Sequence, residues 1–184
     1  CEVVDSPDAT VVGHSMLGLA IPLIPERVAV KRLVFLCAFL PEPGSSFKEL
    51  REREDIEPDR EMQHAQFTNL GEDVWMVGPE TANELFYHDA PSEIAAWSVP
   101  LLRPQAYRIT REKTPLTAWP DVPCSYVLCR DDRVIDSTWA RRAARERLGV
   151  EALELDGGHS PFLTRPGELA TVLDGLETDS RNQS

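Results

Sequence analysis

The sequence predicts an α/β domain: a mostly parallel sheet with flanking helices and an inserted helical cap. Three observations carry that prediction. Apolar runs of strand length, each followed by a stretch of helical composition, occur at both ends of the chain, as expected for strands covered on both faces. Between them the composition changes, first to dense charge and then to aromatic-rich amphipathic stretches. The chain has 184 residues, 42% of them hydrophobic, enough for one core with a small cap and short for two full domains. The expected division is core at 1–46, cap at 47–116, core at 117–177 and a polar tail at 178–184.

Taken in order, residues 9–13 read as a short buried strand. Residues 16–24 are apolar nearly all round and predict a helix under the sheet, kinked or ended by Pro22. Arg32-Leu33-Val34-Phe35-Leu36-Cys37-Ala38 is a continuous apolar strand, closed by the breaker Leu40-Pro41-Glu42-Pro43-Gly44. From 47 to 61 the chain is rich in Glu, Asp and Arg without apolar periodicity, which predicts a solvated excursion, and His64 just beyond it is expected exposed. Residues 80–88 and 91–102 are amphipathic, the second opening with Pro91 at the first helical position. This middle third carries Trp75, Phe86, Tyr87, Trp97 and Tyr107, so it has something apolar to cover. Strand, helix, strand and helix then follow at 125–129, 137–148, 151–155 and 165–176, with Pro166 in the first turn of the last helix. The tail is polar and expected to fray.

A net charge of −12 opposes nucleic-acid binding, which depends on clustered Lys and Arg. No apolar run approaches the length of a membrane span. Four cysteines, Cys1, Cys37, Cys124 and Cys129, form no CxxC pair and share no metal spacing with the four histidines. Cys37 and Cys129 lie inside apolar runs and read as buried thiols, which fits a reducing, cytoplasmic setting. The strand near Ala9 would present an apolar edge that invites self-association, so a homo-oligomer is one expected state. Arg141, Arg142, Arg145 and Arg147 interleave with alanine and read as a solvated helix face.

The chemistry concentrates at three strand ends. Thr10-Val11-Val12-Gly13-His14-Ser15-Met16-Leu17-Gly18 reads as strand, sharp turn and helix, with Ser15 at the turn, where the next backbone N–H, that of Met16, faces a developing oxyanion. Read alone, the stretch also fits a strand followed by an N-cap serine. The strand at 125–129 runs into Arg130-Asp131-Asp132-Arg133-Val134-Ile135, and either acid could orient a histidine. The strand at 151–155 runs into Asp156-Gly157-Gly158-His159-Ser160-Pro161-Phe162, whose glycines let an imidazole swing over the sheet edge. A serine hydroxyl needs an imidazole to take its proton, and the imidazole needs a carboxylate to fix its tautomer.

The stretches Val12–Gly18, Leu33–Pro41, Phe86-Tyr87-His88-Asp89, Leu102-Arg103-Pro104-Gln105 and the two downstream loops give the chain a family likeness. It resembles an α/β-hydrolase of the plant methylesterase and hydroxynitrile lyase type, more closely a bacterial relative. The resemblance spans residues 10 to about 173 and implies Ser15 as nucleophile, Asp132 as acid and His159 as base, with Asp131 a solvated neighbour. Leu17 departs from the small residue common at that position, and a helix there would have to pack it against the sheet. Asp136 replaces a frequent proline. Fourteen residues precede Ser15, so the second oxyanion donor is expected upstream of Cys1.

The implied function is a serine hydrolase of the carboxylic-ester type, turning over a small ester through an acyl-enzyme without metal or cofactor. His14, Trp75, Phe86, Trp97 and Phe162 are the candidates for its substrate pocket, although cap aromatics are also ordinary packing residues. The alternative is a non-catalytic domain that binds a ligand or partner, for which Leu17 speaks. A cyanohydrin lyase would use a lysine near the histidine loop, and Ser160-Pro161-Phe162-Leu163 contains none.

Overall fold

The computed structural model describes residues 8–57 and 65–181, with side chains to 177. Cys1 and His64 lie outside the described residues. The described strands are β1 (Thr10–Ser15), β2 (Arg32–Ala38), β3 (Phe67–Gly71), β4 (Val74–Val77), β5 (Gln105–Ala106), β6 (Cys124–Cys129) and β7 (Leu153–Leu155). Four of them form a parallel sheet in the order β1-β2-β6-β7, and three form an antiparallel sheet in the order β3-β4-β5. The α/β prediction is thus borne out.

The central strands are buried on both faces because their apolar runs leave neither side polar. Leu33, Phe35, Tyr126 and Leu128 pack on one face with Ile21, Leu50, Ile135 and Trp139. Successive side chains point oppositely, so Val34, Leu36, Val127 and Cys129 pack on the other face with Leu155 and with Leu169 of the helix Pro166–Arg181. Each large apolar side chain withdrawn this far from water contributes about 1.5–3 kcal/mol. That last helix is tied to β1 and its neighbourhood by Glu177, which accepts from Thr10 and pairs with Lys31. Its backbone stays helical through Arg181, beyond the expected start of a frayed tail at 178.

Several expected elements differ. Residues 16–24 do not form an α-helix but two short 3₁₀ turns, Met16–Leu19 and Ile21–Leu23, the second with Pro22 early in the turn. Proline lacks the N–H that a continuous helix would use there. Residues 47–53 are not a solvated excursion: Phe47–Arg53 is an α-helix, and Phe47 and Leu50 are buried. A capping box starts it, Ser46 Oγ accepting from Glu49 N while Glu49 accepts from Ser46 N at 2.7 Å.

The middle segment is not purely helical either. Helices Pro79–Leu85 and Ser92–Ser98 flank no simple bundle, because β3 and β4 form a hairpin turning at Glu72 and Asp73, both with positive φ. Val74-Trp75-Met76-Val77 is a β-branched and aromatic run, which favours strand. Towards the C-terminal half, Ser137–Ala143 is α-helical and continues as a π-turn over Ala144–Leu148. Asp136 caps it by accepting from Trp139 N at 2.8 Å, which is what the aspartate gains over a proline there. Arg141 and Arg145 pair with Glu154 and Glu151. Arg147, in contrast to the expected solvated face, lies over the Trp139 ring, pairs with Glu54 and donates to the Leu40 carbonyl.

Candidate active site

Ser15 ends β1 with φ 55° and ψ −124°, a conformation non-glycine residues rarely hold and one that costs about 1–3 kcal/mol. The neighbouring strand enforces it. The β1–β2 register slips after His14, so that Ser15 pairs with Ala38 and Cys37 is the extra residue, itself at φ 41°. Phe39 N donates to the Ser15 carbonyl at 3.1 Å. Below the turn, the buried Tyr126 hydroxyl donates to the Ala38 carbonyl at 2.6 Å and accepts from Ala38 N at 3.2 Å. Gly18 completes the turn: a Cβ there would run into the Phe39 carbonyl oxygen. Gly18, rather than position 17, makes the close approach to the sheet. Leu17 is 61% exposed, so the expected packing of Leu17 against the sheet does not occur.

Three strand ends converge at this turn. The Ser15 hydroxyl lies 3.0 Å from His159 Nε2, and His159 Nδ1 lies 2.9 Å from Asp132 Oδ2 and 3.1 Å from Oδ1. With Nδ1–H donating to the carboxylate, the Nε2 lone pair faces the serine. Asp132 is fixed in turn, its Oδ1 accepting from Val134 N at 2.7 Å and Ile135 N at 3.1 Å. The His159 and Asp132 side chains are each 3% exposed, so their attraction acts in a medium of low dielectric. His159 follows Gly157, at φ 95°, and Gly158, which together form the tight loop.

His14 borders the same histidine from β1. Its Nε2–H donates to the His159 carbonyl at 2.8 Å, and the two rings are 4.6 Å apart. Burial first, and then the neighbouring His159, push the His14 pKa down to about 4. Below β2, contact with the Cys129 thiol and burial push the Cys37 thiol upward, and burial pushes Cys124 up to about 11. Cys37, Cys124 and Cys129 are all free thiols.

Residues 1–172 match the alpha/beta hydrolase family. The chain belongs to that family. It is 26% identical over 172 residues to an alpha/beta hydrolase of Aspergillus novofumigatus, a stretch covering 86% of this chain and 66% of that relative. Among solved structures, polyneuridine aldehyde esterase superposes with a TM-score of 0.75 at 18% identity, covering 95% of this chain and 73% of the esterase. An Arabidopsis methylesterase superposes at 0.74 and 21% identity, covering 96% of this chain and 72% of that one. These likenesses extend the alpha/beta hydrolase assignment from sequence to fold.

Within this hydrolase fold, the aromatic residues expected at the site divide. Phe86 lies 5.8 Å from the His159 ring, and Phe162 packs edge-on against His14 at 5.0 Å while remaining 44% exposed. Trp75 instead sits in β4, paired with Asn69 and Gln105 and 6.1 Å from Tyr107. Trp97 is 61% exposed. Among the described residues, the ring contacts to His14 and His159 come from Phe162 and Phe86, and neither Trp75 nor Trp97 makes one. The structure adds Asp89, whose Oδ2 accepts from Gly158 N at 2.9 Å, and His88, whose Nε2–H donates to the Asp131 carbonyl at 3.0 Å. Both residues stood in the Phe86–Asp89 stretch, but no local pattern distinguishes an acid that reaches a distant loop.

Among the described residues, no helix is long and apolar enough to cross a membrane.

Proposed function

We propose that the protein is a serine hydrolase that cleaves a small carboxylic ester through an acyl-enzyme. The observation that carries this reading is the unbroken hydrogen-bond path from Ser15 Oγ through His159 to Asp132, 3.0 Å and 2.9 Å long at its two steps. His159 Nε2 is within reach of the serine proton, as a general base must be. As Ser15 Oγ bonds to the acyl carbon, its proton passes to Nε2, and Asp132 stabilises the imidazolium. The imidazolium then gives that proton to the departing alkoxide, releasing the alcohol. Water, activated by the same nitrogen, frees the acid and restores Ser15.

The Met16 N–H, first in the turn after Ser15, is a donor not used by the turn itself and serves the oxyanion. Exposed Leu17 and Phe162 with half-buried Phe86 give the mouth an apolar lining, which fits an uncharged ester better than a charged one. The structural neighbours, polyneuridine aldehyde esterase and an Arabidopsis methylesterase, support ester chemistry.

The test is pre-steady-state mixing with p-nitrophenyl acetate. A burst of nitrophenolate stoichiometric with protein, lost in Ser15→Ala, supports the acyl-enzyme. Equal turnover by wild type and Ser15→Ala overturns it.

A further inference from the structure

We propose that the dipeptide His88-Asp89 is a positioning clamp that sets the separation of Asp132 and His159. The inference rests on the hydrolase reading of Ser15, Asp132 and His159. His88 donates to the carbonyl of Asp131, the residue before Asp132, at 3.0 Å. Asp89 accepts from the N–H of Gly158, the residue before His159, at 2.9 Å. Two adjacent side chains therefore hold the two loops whose next residues form the carboxylate–imidazole contact. A direct link closes the ring, since Asp131 N donates to the Gly157 carbonyl at 3.0 Å and Asp131 Oδ2 accepts from Gly157 N at 3.3 Å.

The loop glycines make room for this clamp. A Cβ at Gly158 would lie 2.6 Å from His88 Nε2 and 2.7 Å from Asp89 Oδ1, and one at Gly157 would lie 2.7 Å from Asp89 Oδ2. The dipeptide is itself fixed, because it follows the helix Pro79–Leu85 through Phe86, which lies against the His159 ring, and the buried Tyr87. Asp89 is poorly suited to a purely stabilising role: its Oδ1 is buried and takes no hydrogen bond from the described residues. A buried oxygen left without a donor carries a desolvation cost, which offsets what the Gly158 bond contributes. What the carboxylate does supply is direction, since it fixes the backbone one residue before the imidazole. An error of about 1 Å in such a placement lowers a rate roughly 100-fold.

The experiment compares wild type, Asp89→Ala, Asp89→Asn and His88→Gln in two readouts. One is the rate of fluorophosphonate labelling of Ser15, followed across pH. The other is the downfield ¹H resonance of the His159 Nδ1–H, assigned by its loss in His159→Ala. This imidazole is faced by Asp132 from one loop and by His14 from β1, and neither is altered in the variants. We expect Asp89→Ala to label roughly 10- to 100-fold more slowly, to broaden the resonance and to displace the labelling pH profile. Asp89→Asn, which keeps an acceptor oxygen, restores most of each. Wild-type rates, pH profile and resonance in Asp89→Ala overturn the clamp. Should that variant lose its thermal transition, His88→Gln decides in the same way. A wild type that forms no Ser15 adduct overturns the hydrolase reading, and the resonance in the variants still decides the clamp.

Discussion

His14 donates through Nε2–H to the backbone carbonyl of His159 at 2.8 Å, with the two rings 4.6 Å apart. The residue before the serine thus holds the main chain of the imidazole that faces the serine. It does so as a neutral ring, because burial keeps its pKa near 4.

This pair has a consequence for acid stability. An unfolded histidine titrates near 6.5, so between pH 6.5 and about 4 the unfolded chain binds a proton that folded His14 refuses. The contribution of His14 is therefore full above pH 6.5, falls as pH drops through that window and is exhausted below about 4. Discounted for the partial exposure of the ring, the loss is on the order of 2 kcal/mol. Thermal melts of wild type and His14→Gln from pH 7 to 4 check this. We expect a shallower decline in Tm for the variant, whose side-chain amide still offers a donor.

Asp132→Asn keeps the shape of the acid loop but no longer favours the Nδ1–H tautomer of His159. Loss of the acid in such a relay lowers kcat by about 10⁴. Because the Asn oxygen can still accept from Val134 and Ile135, we expect Tm to change little while the rate of p-nitrophenyl acetate hydrolysis collapses.

Gly18→Ala places a methyl group against the Phe39 carbonyl and 2.8 Å from the Ala38 Cβ. Backbone is the obstacle, so nothing nearby can rotate away. We expect a loss of about 2 kcal/mol or more, roughly 4–8 °C in Tm, and slower reaction at Ser15, measured by calorimetry and turnover together.

Tyr126→Phe removes one hydroxyl that serves both polar groups of Ala38, the β2 partner of Ser15. Burial leaves those groups without water. The expected cost is about 1–3 kcal/mol in urea unfolding, with an unchanged m-value.

Much of this arrangement was legible in the residues, and the exceptions have physical causes. β2 runs over Arg32–Ala38, the bounds its apolar run predicts, because a strand buried on both faces writes its limits directly into hydrophobicity. Ser15, Asp132 and His159 stood out because each stands at the end of a predicted strand. Residues 16–24 misled because apolar composition does not distinguish an α-helix from 3₁₀ turns, and the close approach at Gly18 is a tertiary contact. The helix Phe47–Arg53 was hidden by charge: with Phe47 and Leu50 as its buried residues, it is read better from Ser46 and Glu49, the capping box, than from periodicity. The hairpin of β3 and β4 was missed because every residue of β3 is exposed, leaving no alternation to detect. Asp89 carried no pattern because its partner lies 69 positions away.

The central claim is that His159 activates Ser15. Its most direct test is intact-protein and peptide mass spectrometry after fluorophosphonate treatment of wild type, Ser15→Ala and His159→Ala. We expect a single adduct on the peptide containing Ser15 in wild type, none in Ser15→Ala and strongly slowed labelling in His159→Ala. A wild type that takes no adduct at Ser15, or a His159→Ala variant that labels as fast as wild type, would contradict it.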